Sequence, residues 1–345
     1  TEISNDAFTN CKNLSVVTFE EGNQPLTIGY NTVDTDESPF VDAPLTKVTL
    51  KRPINYTFPN PDTAIEGLFG GKSNRTEVEL GQYVNNISDY MFANTGIQTL
   101  SLPITNVQTI GNGAFSGSKL VQITIPYYVR SIGVNAFVNC DYLAEVYIQG
   151  TTTALTVGYQ NTGGADWGPF YDSPLSKIVL GREINYVNGN GQPFTPVEAS
   201  DGFFANEESV NNVEVTISDN VKTISNYMFA GIKMNSLSIP NSVTKIGKYA
   251  FDGCSTLSSV NIPGGVTEID EYTFNGCSSL TGLTIPANVT TIRDYAFYGC
   301  SSLSDLTIAS ATTPLTFGYQ PSSTDDRGPF YQSPLTNIYV NRELV

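Results

Sequence analysis

The chain of 345 residues carries 17 basic and 33 acidic side chains, a net charge of −16, and no histidine. That balance repels phosphate backbones and anionic bilayers, and the missing imidazole excludes histidine triads, histidine general bases and histidine metal ligands. Hydrophobic residues are 40% of the chain, enough to form a core, yet no apolar run approaches the ~20 residues of a membrane span.

The sequence opens on ISNDAFTNC, which sets Phe8 three residues before Cys11. The same phrase returns at Phe92, Phe115 and Phe137, and again at Phe229, Phe251, Phe274 and Phe297, in steps of 22 or 23 within each run. Residues 242–264, 265–287 and 288–310 are three consecutive copies. A fixed period of this size predicts a solenoid, because one copy cannot bury its own apolar face and neighbours must cover it. In the copy at 242–264 the expected core is Val243, Ile246, Ala250, Phe251, Cys254, Leu257, Val260 and Ile262. The alternation toward Ile262 reads as a short strand that Pro263, lacking an N–H, brings to an end.

Carried along the chain, the pattern predicts thirteen strands, with last inward residues Phe19, Leu50, Leu80, Leu102, Ile125, Ile148, Leu180, Ile217, Ile239, Ile262, Ile285, Ile308 and Val340. The expected fold is a β-dominated coil with one short parallel strand per turn and short helical or irregular turns opposite. No Gly-, Ser- or Pro-rich linker divides it, so residues 1–345 are expected to form a single solenoid of about thirteen turns.

Elongated turns stand near 20–50, 150–180 and 310–340, where the segments 26–56, 155–186 and 315–344 match one another. Their variable centres, 31–38, 160–168 and 320–328, lie between a Gly-Tyr pair and a Pro-Phe pair and read as protruding polar loops. Trp167, the only tryptophan, falls in the second loop, and Tyr159 and Tyr319 belong to the Gly-Tyr brackets of the second and third loops. The acidic tips Asp34, Asp36 and Glu37, and Asp325 with Asp326, lack the twelve-residue pattern of a calcium loop, so no metal is expected.

Cys11, Cys140, Cys254, Cys277 and Cys300 all follow an anchor phenylalanine by three, the register of an interior column. Reduced, buried thiols with no catalytic role are expected there. No phosphate loop, nucleophile elbow, paired-cysteine metal spacing or carboxylate dyad is present, so neither catalysis nor a cofactor is expected. The outward face of the strands should be polar and threonine-rich, with Thr18, Thr49, Thr124, Glu145, Tyr147, Thr284, Thr307 and Tyr339 among its members.

The phrase VTKIGKYAFDGCSTLSSVNIP resembles the bacterial BspA-type leucine-rich repeat family. The marks are Ile246-Gly247, Ala250-Phe251, Gly253-Cys254-Ser255, Leu257 and Ile262-Pro263, with clear copies over 106–150 and 220–310. The resemblance implies a right-handed solenoid, exported to the cell surface, that engages host matrix or other extracellular proteins as an adhesin. It supplies no catalytic residues. Ser118 and Ile232 depart from the usual cysteine, and Asp270 and Arg293 from the glycine after the isoleucine. Both ends read as interior to a repeat, so a longer parent protein is expected.

Three functional readings remain open. In the first, an extracellular protein docks on Tyr147, Tyr339 and the acidic group that includes Glu145. In the second, a surface glycan stacks on Trp167, Tyr159 and Tyr319. In the third, the chain is a passive stalk. Nucleic acid and membrane insertion are not expected.

Overall fold

The anchor phenylalanines meet face to face. A computed structural model of the chain describes residues 2–3, 7–28, 39–40, 43–56, 67–69, 75–102, 106–159, 168–188, 192–193, 195–196, 202–204, 212–318 and 328–345. Its contacts divide it into two compact units. The first is Thr1–Gln149 with Thr153–Pro174 and Ile184–Phe194; the second is Gly150–Thr152 with Leu175–Glu183 and Thr195–Val345.

In the first unit, rings stack in the order Phe8, Phe40, Phe69, Phe92, Phe115, Phe137 and Phe170, at centroid separations of 4.8 to 5.5 Å. In the second, Phe204, Phe229, Phe251, Phe274, Phe297 and Phe330 stack at 5.1 to 5.8 Å. Phe40, Phe170 and Phe330 belong to the Pro-Phe brackets. The elongated turns therefore keep the anchor and insert their extra residues before it. Burial of each ring against two neighbours is the main apolar gain of a turn.

Two parallel ladders flank each column. The front ladder holds the predicted strands. In the first unit it includes Val16–Phe19, Lys47–Leu50 and Glu77–Leu80 in one sheet, and the pair Gln122–Ile125 and Glu145–Ile148. In the second unit Lys177–Leu180 pairs with Glu214–Ile217, Ser236–Leu237 with Ser259–Val260, and Gly282–Ile285 with Asp305–Ile308 and Asn337–Val340. The segment ending at Leu102 forms only an isolated bridge, Thr76 to Ile97. The pair ending near Ile239 and Ile262 is cut short because the Asn261 amide takes over the backbone of Ile239, accepting from its N–H at 2.8 Å and donating to its carbonyl at 2.8 Å.

The second ladder adds to the single strand expected per turn. It passes through Asn86–Ile87, Thr109–Ile110, Ser131–Ile132, Leu155–Tyr159 and Ile184–Asn188 in the first unit. In the second unit it holds Thr223–Ile224 with Lys245–Ile246, and Glu268–Ile269 with Thr291–Ile292 and Thr316–Phe317. Most of these strands are only two residues long. Side chains just beyond them continue the hydrogen bonding to the next turn. The Asn112 Oδ1 accepts from Val134 N at 3.1 Å, and the Asn226 Oδ1 from Lys248 N at 3.0 Å.

Among the described residues no helix forms, and none is long and apolar enough to cross a membrane. The reason is visible around Phe251. Tyr249, Phe251 and Gly253 donate their N–H groups to Glu271, Thr273 and Asn275 of the next turn. The intervening Ala250, Asp252 and Cys254 donate back to Gly247, Tyr249 and Phe251. This alternation requires left-handed backbone at Tyr249 (φ 56°) and Gly253 (φ 66°), which no α-helix tolerates.

Several placements differ from the sequence expectation; Leu80 and Val260, expected inside, are only half-buried. Thr49 keeps the outward parity of its partners Thr18 and Glu79 but is buried, as the central strand's residue between them with Lys47 bridging to Glu79 beside it. Val340 is exposed, since Asn337–Val340 pairs on one side only among the described residues. Cys11 is half-buried, whereas Cys140, Cys254, Cys277 and Cys300 are fully buried. All five thiols are free. Those of Cys140, Cys254, Cys277 and Cys300 donate to the carbonyls of Phe115, Phe229, Phe251 and Phe274. Burial pushes Cys140 and Cys300 up to about 12 and also raises Cys254 and Cys277, so these buried thiols stay protonated and unreactive.

Candidate functional site

On the front ladder of the first unit, Gln122 pairs with Glu145 and Thr124 with Tyr147, so four outward side chains share one patch. Period-two alternation sends Ile123, Ile125, Val146 and Ile148 inward, where all are buried, and leaves the other set facing out. The Tyr147 hydroxyl donates to a Glu145 oxygen at 2.7 Å, which fixes both side chains on the face.

Beside this patch opens a cavity of about 530 Å³, walled by Thr99, Ser101, Gln122, Thr124, Tyr127 and Gln149, with Leu102, Pro126 and Tyr128 among its lining. Its size is that of a small ligand pocket or of a cleft that admits one anchoring side chain. Tyr127 and Tyr128 occupy the turn after Pro126, their rings 5.3 Å apart and 81° from parallel. The Tyr128 hydroxyl donates to Leu102 O at 3.2 Å, and burial raises its pKa. Tyr127 N donates to the Gln149 Oε1 at 3.3 Å, which holds the turn against the next repeat. With its backbone fixed in this way, the Tyr127 ring is 52% exposed, and Tyr142 in the same unit is 58% exposed.

Tyr147 and Glu145 stand on the outward face, as strand parity suggested, in register with Thr124 and Gln122 of the cavity wall. Tyr339 also points outward, at 59% exposure, but it belongs to the second unit, next to exposed Ile338. Trp167, Tyr319 and the side chain of Tyr159 lie outside the described residues, as do the acidic tips 34–37 and 325–326. Tyr127 and Tyr128 were missed. Their signal was present: the pair after Ile-Pro is Tyr-Tyr at 127–128, but Asn-Ser at 241–242, Gly-Gly at 264–265 and Ala-Asn at 287–288.

Elsewhere on the front face, charges are matched. Lys47 lies 3.6 Å from Glu77 and 3.4 Å from Glu79, and the Glu79 hydrogen bond, with the two carboxylates' charge, raises its pKa. Lys177 and Glu214 approach to 3.1 Å. No group of three or more histidine, cysteine, aspartate or glutamate side chains with metal-binding geometry occurs among the described residues.

Arginines recur at one position of the elongated turns and were also missed. Arg342 donates to Ala287 O at 2.8 Å and Pro286 O at 3.4 Å, Arg52 donates to Glu21 O at 3.5 Å, and Arg182 is fully buried. Arg342 and Arg52 satisfy carbonyls left open where a strand of an earlier turn ends.

A search of the curated proteins found no match. Solved structures similar to this chain include a leucine-rich cell surface protein from Faecalibacterium prausnitzii, 24% identical, covering 98% of this chain and 82% of that one, with a TM-score of 0.40. The pneumococcal vaccine antigen PcpA is 18% identical over 94% of this chain and 80% of its own, with a TM-score of 0.41. A leucine-rich repeat protein from Eubacterium ventriosum is 16% identical over 93% and 89%, with a TM-score of 0.44. The family described as the BspA type leucine-rich repeat region matches in six copies, over residues 1–56, 51–159 and 198–318. With that match across most of the sequence, and the phenylalanine columns and parallel ladders that the repeats build, the chain belongs to the BspA-type leucine-rich repeat family.

Proposed function

We propose that the protein is a non-catalytic bacterial cell-surface adhesin that captures an extracellular protein, and that the front face of the first unit is its recognition surface. The observation that carries this reading is the cavity of about 530 Å³ edged by exposed Tyr127 and flanked by the Tyr147–Glu145 pair. Tyrosine offers large contact area at small entropy cost, and amide side chains such as Gln122 and Gln149 adapt their hydrogen bonds to a partner. The net charge of −16 favours a partner that presents positive charge to this face, with association that slows as salt rises. Placement on the cell surface agrees with the repeat family and with the description of one structural relative as a cell surface protein.

The test is binding of the intact chain to arrays of host matrix proteins and of glycans, with Tyr127→Ala and Tyr147→Ala beside the wild type. A protein ligand lost in Tyr127→Ala supports the reading. A glycan ligand lost in Tyr127→Ala would replace it with the glycan-capture reading, and binding to neither array would favour a stalk.

A further inference from the structure

On the second ladder of the first unit lies another cavity, of about 480 Å³. Its floor is the row of residues that follows the ladder isoleucines and Val157: Gly111, Gly133 and Gly158. The first two glycines are required by the fold. A Cβ on Gly111 would lie 2.6 Å from Asp89 N, and one on Gly133 would lie 2.5 Å from Asn112 N. Gly158 is different, because a Cβ there would meet nothing within 4 Å. Packing does not demand glycine at 158, and its effect is to leave the groove open.

One rail of the groove is the row Asn86, Thr109, Ser131 and Thr156, aligned by the ladder register and spaced as strands are, at ~4.8 Å. Among the described residues, the hydroxyls of Thr109, Ser131 and Thr156 have no hydrogen-bond partner, whereas Ser88 nearby donates to Ile54 O at 2.8 Å. The other rail is Asp89 and Asn112. Asp89 accepts from Asn112 N at 2.8 Å and from the Asn112 Nδ2 at 3.2 Å, one bond at each oxygen, so each oxygen retains acceptor capacity. Burial raises the Asp89 pKa.

We infer that this groove binds a neutral carbohydrate chain lying across the strands. The lining supplies repeated hydroxyl and amide groups that both donate and accept, which suits a hydroxyl-rich ligand. No cationic side chain lines the groove, and Asp89 is its one carboxylate, so an anionic ligand would meet repulsion without a counter-charge. A single carboxylate also falls short of the six or more oxygens that a hard cation collects. The regular spacing of Thr109, Ser131 and Thr156 favours a polymer with a repeating hydroxyl pattern over a compact small molecule.

The experiment screens the intact chain against a neutral-glycan array of hexose, deoxyhexose and N-acetylhexosamine oligomers. It then titrates the soluble form of any hit into wild type, Gly158→Leu, Thr156→Val and Tyr127→Ala. Gly158→Leu fills the groove and is expected to reduce affinity at least tenfold with an unchanged melting temperature. Thr156→Val should weaken binding several-fold, and Tyr127→Ala, on the other ladder, should leave it as in wild type. The proposal is overturned if no neutral glycan binds, or if a bound glycan is indifferent to Gly158→Leu. Loss in Tyr127→Ala alone would also overturn it, by moving the site to the front cavity.

Discussion

The two units use the same turn for different surfaces. After the second ladder the first unit reads Ser88, Gly111, Gly133 and Gly158, while the second reads Ser225, Gly247, Asp270 and Arg293. In the first unit this row is the floor of an open groove with no cationic side chain. In the second unit Arg293 pairs with Glu268 at 2.5 Å and Lys248 with Glu271 at 2.8 Å, so the matching strip is covered by ion pairs. Two positions further on, the first unit has Tyr90, Gly113 and Asn135, with φ angles of 52°, 54° and 56°. The second has Tyr227, Tyr249, Tyr272 and Tyr295 at φ angles of 52° to 57°, stacked at 4.6 to 4.8 Å. Left-handed backbone is unfavourable for tyrosine by roughly 1–2 kcal/mol, and ring stacking offsets it by about 0.5–1.5 kcal/mol per pair. The backbone of the turn is thus constant, and exposed positions decide whether a stretch of solenoid is groove or ridge.

The largest effect should be common to both units. Phe115→Ala and Phe251→Ala each remove a fully buried ring stacked on two others, and each should cost about 3–5 kcal/mol in chemical denaturation. A cost in one unit and none in the other would break the equivalence of the columns.

A sharper contrast is expected at the recurrent arginines. Arg342 is 9% exposed and donates to two carbonyls, so Arg342→Ala should lose about 1.5–3 kcal/mol. Arg52 is half-buried with a single long bond at 3.5 Å, and its truncation should cost less. Equal losses in the same denaturation measurement would contradict that ranking of their contacts.

The ion pairs that distinguish the second unit contribute little to its stability. Arg293→Ala should cost less than about 1 kcal/mol, and the difference from wild type should vanish in high salt. A larger, salt-independent loss would mean that Arg293 supports the turn through packing.

The smallest effect concerns Asp89 and Asp252, one in each unit. Burial, the largest influence, raises both above the ordinary 3.8, against the hydrogen bonds from Asn112 and Asn275. The folded chain therefore holds these protons more tightly than the unfolded chain. Their contribution is most favourable below 3.8 and is lost as pH rises through the raised folded values. Asp252→Asn should flatten that loss, measured as the stability difference from wild type between pH 4 and pH 7. A variant that instead loses stability as pH rises would reverse the assigned sign.

Much of this architecture was legible because apolar side chains recur at fixed steps. Most of the phenylalanine columns and most of the front strands follow from that period. The second ladder did not, since Thr109–Ile110 or Lys245–Ile246 is too short to display an alternation. Phe40, Phe170 and Phe330 were legible as bracket residues but not as anchors, because the inserted loops displace them from the 23-residue step. Burial of Arg182 and Arg342 contradicts what residue type alone suggests, and only tertiary carbonyl partners explain the contacts of Arg52 and Arg342. Of the candidate site, Tyr147 and Glu145 were readable from strand parity. The cavity beside them was not, because it depends on how the Tyr127–Tyr128 turn sits over Leu102.

The most direct test of the recognition surface compares matching aromatic truncations in the two units. Surface plasmon resonance against an extracellular protein ligand found on the array would be run on Tyr127→Ala and Tyr339→Ala. At least a tenfold loss for Tyr127→Ala, with Tyr339→Ala close to wild type, is the predicted result. Retained binding in Tyr127→Ala together with loss in Tyr339→Ala would contradict it.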